Sequence, residues 1–508
     1  MKRFLYLLHR RCGLIVALPV VFWTLSGILH PTMSWLRPVP ATMTPLPIIL
    51  TESDLSYDLG ETLQRHGVGL IQSASLVTDG ERTLIRVVPA DGGEPRHFDL
   101  RDGSERPNGE AAWAERLARH YAGEPNAAVV SNTVLTHFVP EYREINQYMP
   151  VRRVEFDRAD RLRVYLDPQS GALGSLVDRT RGWLTQGFAW FHNWTFLDEI
   201  VPSWIRPVAL VGLSILALIS GVSGLLTYSL VRTKIGKAAQ AGGLPIRTRL
   251  RLAHRTLGVL ISLAFVMFAA SGLHHALHKE IRTPQPDTSA NGPALDPSTF
   301  AVGLKEAYRL ASETGPIVNL AIVSLPDGPA YRFAHPVARS PKPLEPASGS
   351  DQSAPSPLPV ATYIHAQTGT KLSSQSDLVL ARRLATEWTG YPADLIVSSE
   401  LVATFSMDYP MIFRRLPVVK VTFDTPNRET LFIDPAWGVL ARHLVSEDIP
   451  PALTFHFLHK WHFLDFMGKD ARDGVMVAFC GGIALATGLG AATWCTGLRR
   501  RGHRNPAA

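Results

Sequence analysis

The stretch His9–His30, HRRCGLIVALPVVFWTLSGILH, is present a second time in this chain as His254–His275, HRTLGVLISLAFVMFAASGLHH. The two copies align without a gap at an offset of 245 residues (254 − 9), and eight positions are identical. Each copy is apolar and, at 22 residues (9–30), long enough to cross a bilayer as one helix. The chain is therefore predicted to use the same membrane helix twice.

Each copy also carries a histidine at both ends, His9 and His30 in the first copy. A helix turns about 100° per residue, so 21 residues (30 − 9) bring the second histidine back to within roughly 60° of the first. Gly13 and Gly27 lie close to the same line. Imidazole ligates haem iron, and glycine lets a flat macrocycle approach the backbone. The stripe therefore predicts a haem-binding face, repeated in the second copy.

The composition and the placement of charge indicate a membrane protein with large soluble parts. The chain has 508 residues, is 46% hydrophobic and carries a formal net charge of +7. Its basic residues cluster beside the apolar segments, without an intervening acidic residue, near residues 2–11, 232–255 and 499–504. This positive-inside pattern predicts that both termini and the 232–253 loop are cytoplasmic. It favours membrane lipid as the partner of these charges and argues against nucleic acid.

Only three cysteines are present, Cys12, Cys480 and Cys495, and none belongs to a CxxCH sequence. Covalently attached c-type haem is therefore not expected. The N-terminal apolar segment lacks a small-x-small cleavage site, and its repeat partner is internal. We therefore interpret it as a retained membrane anchor and not as a removed signal peptide.

Hydropathy and charge together predict an alternating path through the membrane. Four membrane helices are expected at residues 1–32, 204–231, 254–278 and 473–498. A basic cytoplasmic loop, two large outer domains and a cytoplasmic tail complete the chain, at residues 232–253, 33–203, 279–472 and 499–508. In a Gram-negative bacterium the outer domains are periplasmic.

The repeat extends beyond the first helix of each half. The turn dipeptide Asp79-Gly80 matches Asp327-Gly328 at an offset of 248, and each predicts a hairpin. FHNWTFLD (191–198) matches LHKWHFLD (458–465) at an offset of 267. The Pro/Ser-rich run 335–357 lies where the offset increases, so it is predicted to be a disordered insertion. A repeated two-span unit predicts pseudo-twofold symmetry about an axis along the membrane normal.

Each outer domain is predicted to be α+β. Amphipathic helices are expected at 111–123 and 379–390. Two strands joined by a turn follow in each half, ending in YLDP (165–168) and FIDP (432–435). A helix packed on an antiparallel sheet is the expected layer arrangement. The predicted fold class is an α-helical membrane protein with four transmembrane helices in a tandem two-span repeat, carrying two periplasmic α+β domains.

Several of these sequence features resemble the PepSY-associated transmembrane family. They are the basic LHRxxG start of the first span (Leu8–Gly13), the Ser26-Gly27 pair near its outer end, and the [FL]HxW box before each returning span. The family includes iron-regulated inner-membrane proteins and haem-containing ferric-siderophore reductases of the FoxB type. The resemblance implies PepSY-like outer domains and an inner-membrane reductase with haem b that faces the periplasm.

The candidate haem ligands are three twinned pairs of histidines: His9 with His254, His30 with His275, and His192 with His459. They provide two or three bis-histidine sites, and two haems are expected. One arrangement places an inner haem between His9 and His254, below an outer haem. The other places two symmetry-related haems near the outer face, where His30 or His275 pairs with His192 or His459. The sequence leaves both arrangements open.

Three functional hypotheses follow. In the first, the protein is an oxidoreductase that passes electrons to a ferric siderophore or another ferric chelate. No Gly-rich dinucleotide fingerprint follows a predicted strand, so the electron donor is expected to be a quinol or a partner protein. In the second, the chain is a membrane-anchored periplasmic binding or regulatory module without redox activity. The third, a permease, is disfavoured because the middles of the spans carry no ionisable residue.

Overall fold

The computed structural model describes most of the chain, and every structural statement below refers to these residues: 2–231, 246–281, 284–286, 288, 294–336, 361–373 and 375–502. Most of the predicted insertion at 335–357 and most of the predicted basic loop lie outside them. The described residues divide into two units, one helical and one α+β. Each unit contains segments from both halves of the chain.

The helical unit is built on four helices that are each long and apolar enough to cross a membrane. They are α1 (Lys2–Trp35), α5 (Ile205–Val231), α6 (Ile246–Ile281) and α10 (Lys469–Gly502). Both α1 and α6 pack against α5 and against α10, so the four helices form a ring. The repeated helices α1 and α6 occupy opposite corners of this ring. That is the arrangement expected from two repeats related by a twofold axis.

The centre of this bundle contains small and branched apolar side chains: Val16, Val20, Ala217, Ile261, Ile483 and Ala486. Small residues let helix backbones approach closely in a membrane protein. The predicted fold class, a four-helix membrane protein with α+β parts, is confirmed. Three of the helices, α1, α6 and α10, are longer than the predicted spans. α6 begins at Ile246, because the basic segment before His254 continues the same helix.

Two short segments in the helical unit carry the HxW boxes. In the first half, helix α4 (Arg179–Asn193) packs against α1. In the second half, α9 (Ile449–Thr454) continues into a single π-helical turn at Phe455–His459. Such turns are rare and are often found at functional sites. Trp194 and Trp461 end these segments with φ angles of 54° and 52°, a left-handed conformation that few residues other than glycine adopt.

The α+β unit contains three antiparallel sheets. The first half supplies β1 (Ile71–Thr78), β2 (Thr83–Pro89), β3 (Arg96–Asp99), β4 (Val129–Leu135), β5 (Val151–Phe156), β6 (Arg163–Asp167) and β7 (Ala172–Val177). The second half supplies β8 (Asn319–Leu325), β9 (Gly328–Ala334), β10 (Ala361–His365), β11 (Ile396–Val402), β12 (Val418–Phe423), β13 (Thr430–Asp434) and β14 (Val439–Leu444). The helices of this unit are α2 (Leu59–Arg65), α3 (Gly109–Ala122), α7 (Leu304–Ser312) and α8 (Ser376–Thr389).

The two halves share one of these sheets. Its strand order is β10-β9-β8-β1-β2-β3, and β1 pairs with β8 where Ser75 lies opposite Ala321. The predicted hairpins at Asp79-Gly80 and Asp327-Gly328 join β1 to β2 and β8 to β9. Two separate outer domains were expected at 33–203 and 279–472, whereas the structure forms one α+β unit from Val39–Val177 and Pro284–Val445. The physical reason is that each hairpin covers the open edge of the other.

The other two sheets are β4-β5-β6-β7 and β11-β12-β13-β14, one from each half. They are joined by a buried ion pair network around Arg415. One guanidinium nitrogen lies 3.2 Å from Asp167 at the end of β6, and the other lies 3.3 Å from Asp434 at the end of β13. The two aspartates are equivalent positions of the repeat, one in YLDP and the other in FIDP. The arginine has no twin, because Tyr148 occupies the equivalent position and packs under the guanidinium at 4.7 Å.

Candidate functional site

The first histidine pair of the helical unit joins the two copies of the repeated helix. His9 lies near the start of α1, and His254 lies in the equivalent part of α6. Their ring centroids are 6.1 Å apart, and the ring planes are inclined by 36°. The pseudo-twofold of the bundle thus brings two repeat-equivalent imidazoles close to each other across the helix ring.

The hydrogen bonds of this pair determine which ring nitrogen carries the proton. His9 Nδ1 lies 2.8 Å from the carbonyl oxygen of Ser220, and His254 Nδ1 lies 2.8 Å from that of Ala486. A carbonyl oxygen only accepts, so each Nδ1 is the donor. The lone pair of each imidazole therefore resides on Nε2. This is the arrangement typical of metal-ligating histidines, whose other N–H group is held by a backbone carbonyl or a carboxylate.

Glycines leave the space that these two rings occupy. A Cβ atom at Gly224 would lie 2.8 Å from Cε1 of His9, and one at Gly490 would lie 3.1 Å from Cε1 of His254. A larger residue at either position would displace the ring. Neither glycine stood out in the sequence, because each belongs to the returning helix and only the bundle brings it beside a histidine.

The second histidine pair is formed by the two HxW boxes. His192 lies in the last turn of α4, and His459 ends the π-helical turn after α9. Their ring centroids are 6.2 Å apart, and the planes are nearly perpendicular at 81°. Each ring stacks on a twinned phenylalanine, His192 on Phe188 at 4.6 Å and His459 on Phe455 at 4.8 Å.

Serines of the repeated helix hold the Nδ1 atoms of this second pair. Ser26 Oγ lies 3.0 Å from His192 Nδ1, and Ser271 Oγ lies 3.0 Å from His459 Nδ1. Each hydroxyl also donates its proton to the carbonyl three residues earlier, at 2.9 Å and 3.1 Å. The serine oxygen therefore accepts from the imidazole, and the lone pair again resides on Nε2. Both serines are identical positions of the repeat, but their role follows only from the tertiary structure.

The two pairs lie at different depths in the bundle. Ser26 follows His9 by 17 residues (26 − 9) in the same helix. At 1.5 Å per residue this corresponds to roughly 25 Å along the helix axis, most of the thickness of a bilayer core. We call the His9–His254 pair the inner site and the His192–His459 pair the outer site.

His30 and His275, the remaining predicted ligands, flank the outer site. Each packs against the phenylalanine that supports the outer pair, with ring centroids 5.9 Å apart for His30 and Phe188 and 5.0 Å apart for His275 and Phe455. Among the ring contacts of the described residues, neither stacks on another histidine. The histidine rings that lie against each other are therefore His9 with His254 and His192 with His459.

A lysine lies beside the outer site in the second half only. Lys460 Nζ is 2.8 Å from His30 Nε2, and the repeat places Asn193 at the equivalent position. Burial lowers the pKa of Lys460 to about 8, while Asp473 opposes this shift. Burial also lowers the pKa of His459 well below the usual range of histidine, and His192 and Lys460 lower it further. His459 is therefore neutral, which is the form that ligates a metal.

Other polar groups near the outer site have partners of their own. Asp198 pairs with Arg206 at 2.7 Å, and Asp465 contacts His462 at 2.7 Å and also Arg472. In the described structure it is the serines of α1 and α6 that bond the Nδ1 atoms.

Each of the two sites provides a pair of imidazoles. Within the described ranges, no group of three or more His, Cys, Asp or Glu side chains could hold a metal ion by itself. A haem needs only two axial ligands from the protein. Two metal–imidazole bonds of about 2 Å, together with half of each ring, span about 6 Å. The centroid separations of 6.1 Å and 6.2 Å fit this requirement at both sites.

Comparisons with known proteins identify the family. A search among curated proteins finds no match. The family model described as the PepSY-associated TM region matches residues 86–496, well over half of the chain. The match includes both HxW boxes and the second copy of the repeated helix. Four membrane helices, three antiparallel sheets and this match lead to one conclusion: the chain belongs to the PepSY-associated transmembrane family.

Proposed function

We propose that this protein is a haem b-containing reductase of the bacterial inner membrane that passes electrons to a periplasmic ferric chelate, as in ferric-siderophore reduction during iron uptake. The observation that carries the proposal is the pair of His–His contacts, each with its Nδ1 protons held by fixed acceptors. A histidine with only a structural role at the membrane surface would not need a repeat-equivalent histidine with its ring centroid about 6 Å away.

The chain's own residues divide the task between two depths. His9 and His254 would hold one haem at the inner site, and His192 and His459 would hold a second at the outer site. Bound haem supplies a one-electron centre at each depth. The separation of roughly 25 Å along α1 makes the two sites a route across most of the bilayer core.

The electrons balance in single steps. A quinol releases two electrons and two protons, and each electron reduces one Fe(III) chelate to Fe(II). A partner protein is the alternative donor. Hard-oxygen chelators hold Fe(II) less tightly than Fe(III), so reduction releases the iron. The basic segments near residues 2–11 and 499–501 support cytoplasmic termini. The α+β unit is then periplasmic.

The absorption spectrum is the first test. The detergent-purified protein, from cells supplied with haem precursor and iron, is expected to show a sharp b-type α-band after dithionite reduction, with about two haems per chain by pyridine haemochrome. Oxidation of the reduced protein by a ferric siderophore, with Fe(II) trapped by a chelator, would establish the reaction. A colourless protein would contradict the proposal and would support a membrane-anchored binding module without redox activity.

Gly224 offers a test of the inner site that leaves every histidine in place. Gly224→Val is expected to displace His9, because even the first added carbon would lie 2.8 Å from the ring. The haem content should fall by about one per chain. Gly212→Val in the same helix is the matched control, since a Cβ there would meet no atom within 4 Å. Equal haem loss in both variants would indicate general damage to α5 and would remove this support for the inner site.

A further inference from the structure

The inner and outer sites differ in the orientation of their rings. The inner rings are inclined by 36°, and the outer rings by 81°. The perpendicular orientation is maintained from two directions at once. Ser26 and Ser271 fix the Nδ1 edges of the outer rings, and the stacked Phe188 and Phe455 lie within 13° and 12° of the ring planes. An imidazole held by its edge and its face cannot rotate without losing one contact.

The sites also differ in the hydrogen-bond acceptor on Nδ1. The inner rings donate to backbone carbonyls, and the outer rings donate to serine hydroxyls. An amide carbonyl is the stronger acceptor, so it makes the imidazole a better electron donor to iron. A better donor stabilises the ferric state and lowers the reduction potential. The weaker serine acceptors therefore favour a higher potential at the outer site.

Cationic side chains lie beside both sites. Arg10 and Arg255 follow His9 and His254 in the sequence, and Lys460 follows His459 and contacts His30. A nearby positive charge favours the reduced, less positive haem at either site. The expected difference between the sites therefore rests on the hydrogen-bond acceptors and the ring orientation.

We propose that Ser26 and Ser271 are positioning residues that hold the outer histidines in a crossed orientation, and that the outer site thereby has the higher reduction potential. This inference rests on the proposed function, since it concerns the haems that the two sites would hold. Its consequence is directional: with haem held at both sites, the transfer of one electron from the inner site to the outer site would be downhill, with no bond made or broken.

The crossed rings have a spectroscopic consequence that is independent of activity. Nearly parallel imidazole planes split two iron d orbitals and stabilise the low-spin ferric state, whereas perpendicular planes leave these orbitals nearly equal in energy. The inner site is therefore expected to give a three-line rhombic EPR signal. The outer site is expected to give a broad single EPR feature at lower field. Its ferric state is expected to be less stabilised than that of the inner site, which favours a higher reduction potential.

The test combines EPR with potentiometric titration of the full-length haem-loaded protein. The wild-type protein should show both EPR signals and two potentials. In Ser26→Ala and Ser271→Ala, the low-field signal and the higher potential should shift, while the rhombic signal and the lower potential should not. Ser271→Thr keeps a hydroxyl and should restore the wild-type values. Ser262→Ala is the matched control on α6, because the Ser262 hydroxyl bonds the Val259 carbonyl three residues earlier, at 2.9 Å.

The outcomes separate this inference from the proposed function. Two haems with identical EPR signals, or with the higher potential at the inner site, would overturn the inference and leave the reductase proposal intact. Serine variants that alter neither signal would also overturn it. The serine variants could also lose part of the outer haem while the haem that is still bound there keeps its wild-type potential. That result would overturn the inference, because the serines would then have a purely structural role. A protein without haem would overturn the function itself.

Discussion

His459→Ala is expected to remove one of the two low-spin haem signals and to reduce the haem content to about one per chain. The lost imidazole supplies one of the two axial bonds of the outer site, and its partner His192 lies on a different helix with a centroid separation of 6.2 Å. His462→Ala is the matched control, because His462 lies three residues further along the chain and bonds Asp465. Haem content and EPR spectra of both variants provide the measurement.

Combinations of histidine variants test the pairing itself. His192→Ala, His459→Ala and the double variant should all lose the same single haem, because both residues serve one site. Combining His9→Ala with His459→Ala should remove both haems. His30→Ala should keep two, since His30 contacts Lys460 and Phe188 and belongs to neither ring pair. Loss of one haem in His30→Ala, with retention of both in His9→Ala, would favour the arrangement of two haems near the outer face.

Arg415→Met is expected to destabilise the α+β unit by about 3–5 kcal/mol, because it leaves carboxylates buried without their cation. Asp167 and Asp434 are each only 8% exposed, and the guanidinium bonds both. Burial raises the pKa of Asp434 even with Arg415 present to oppose the shift. At about 1.4 kcal/mol per tenfold, amide exchange in β6 and β13 should become at least a hundredfold faster. Hydrogen–deuterium exchange of the detergent-solubilised chain measures this.

Two further variants make the Arg415 prediction specific. Replacing both aspartates by asparagine in the Arg415→Met background should recover much of the loss, because the buried charges are then removed together. Arg309→Met is the control: Arg309 pairs with Glu52 at 2.6 Å but is 62% exposed. An exposed pair contributes about 1 kcal/mol or less. If Arg309→Met and Arg415→Met accelerate exchange equally, the network does not join the two sheets as described.

The sequence by itself determined the parts of this protein that depend on local pattern. Hydrophobic length predicted four membrane helices, and the alignment of His9–His30 with His254–His275 predicted the tandem repeat. The Asp-Gly dipeptides predicted the hairpins of β1–β2 and β8–β9, because that turn chemistry is local. The [FL]HxW boxes indicated the family, which the match over residues 86–496 shows. The twinned positions also identified all four histidines that the structure brings into pairs.

Only the tertiary structure decided which histidines meet. His9 and His254 are 245 residues apart (254 − 9), and helical periodicity gives the face of a helix but not its neighbour. The ring of four helices brings Ser26 and Ser271 to the outer imidazoles and leaves His30 and His275 beside the phenylalanines.

The same holds for the α+β unit. Its shared sheet and the untwinned Arg415 arise where two repeats meet at a twofold axis. At such a position one residue, Arg415, bonds both of the equivalent aspartates, Asp167 and Asp434. Because Arg415 has no equivalent arginine in the first half, the repeat alignment cannot reveal its role. Local sequence thus specified the elements and the candidate ligands, and packing between distant segments specified the pairs, their protonation and the hydrogen-bond acceptors that distinguish the two sites.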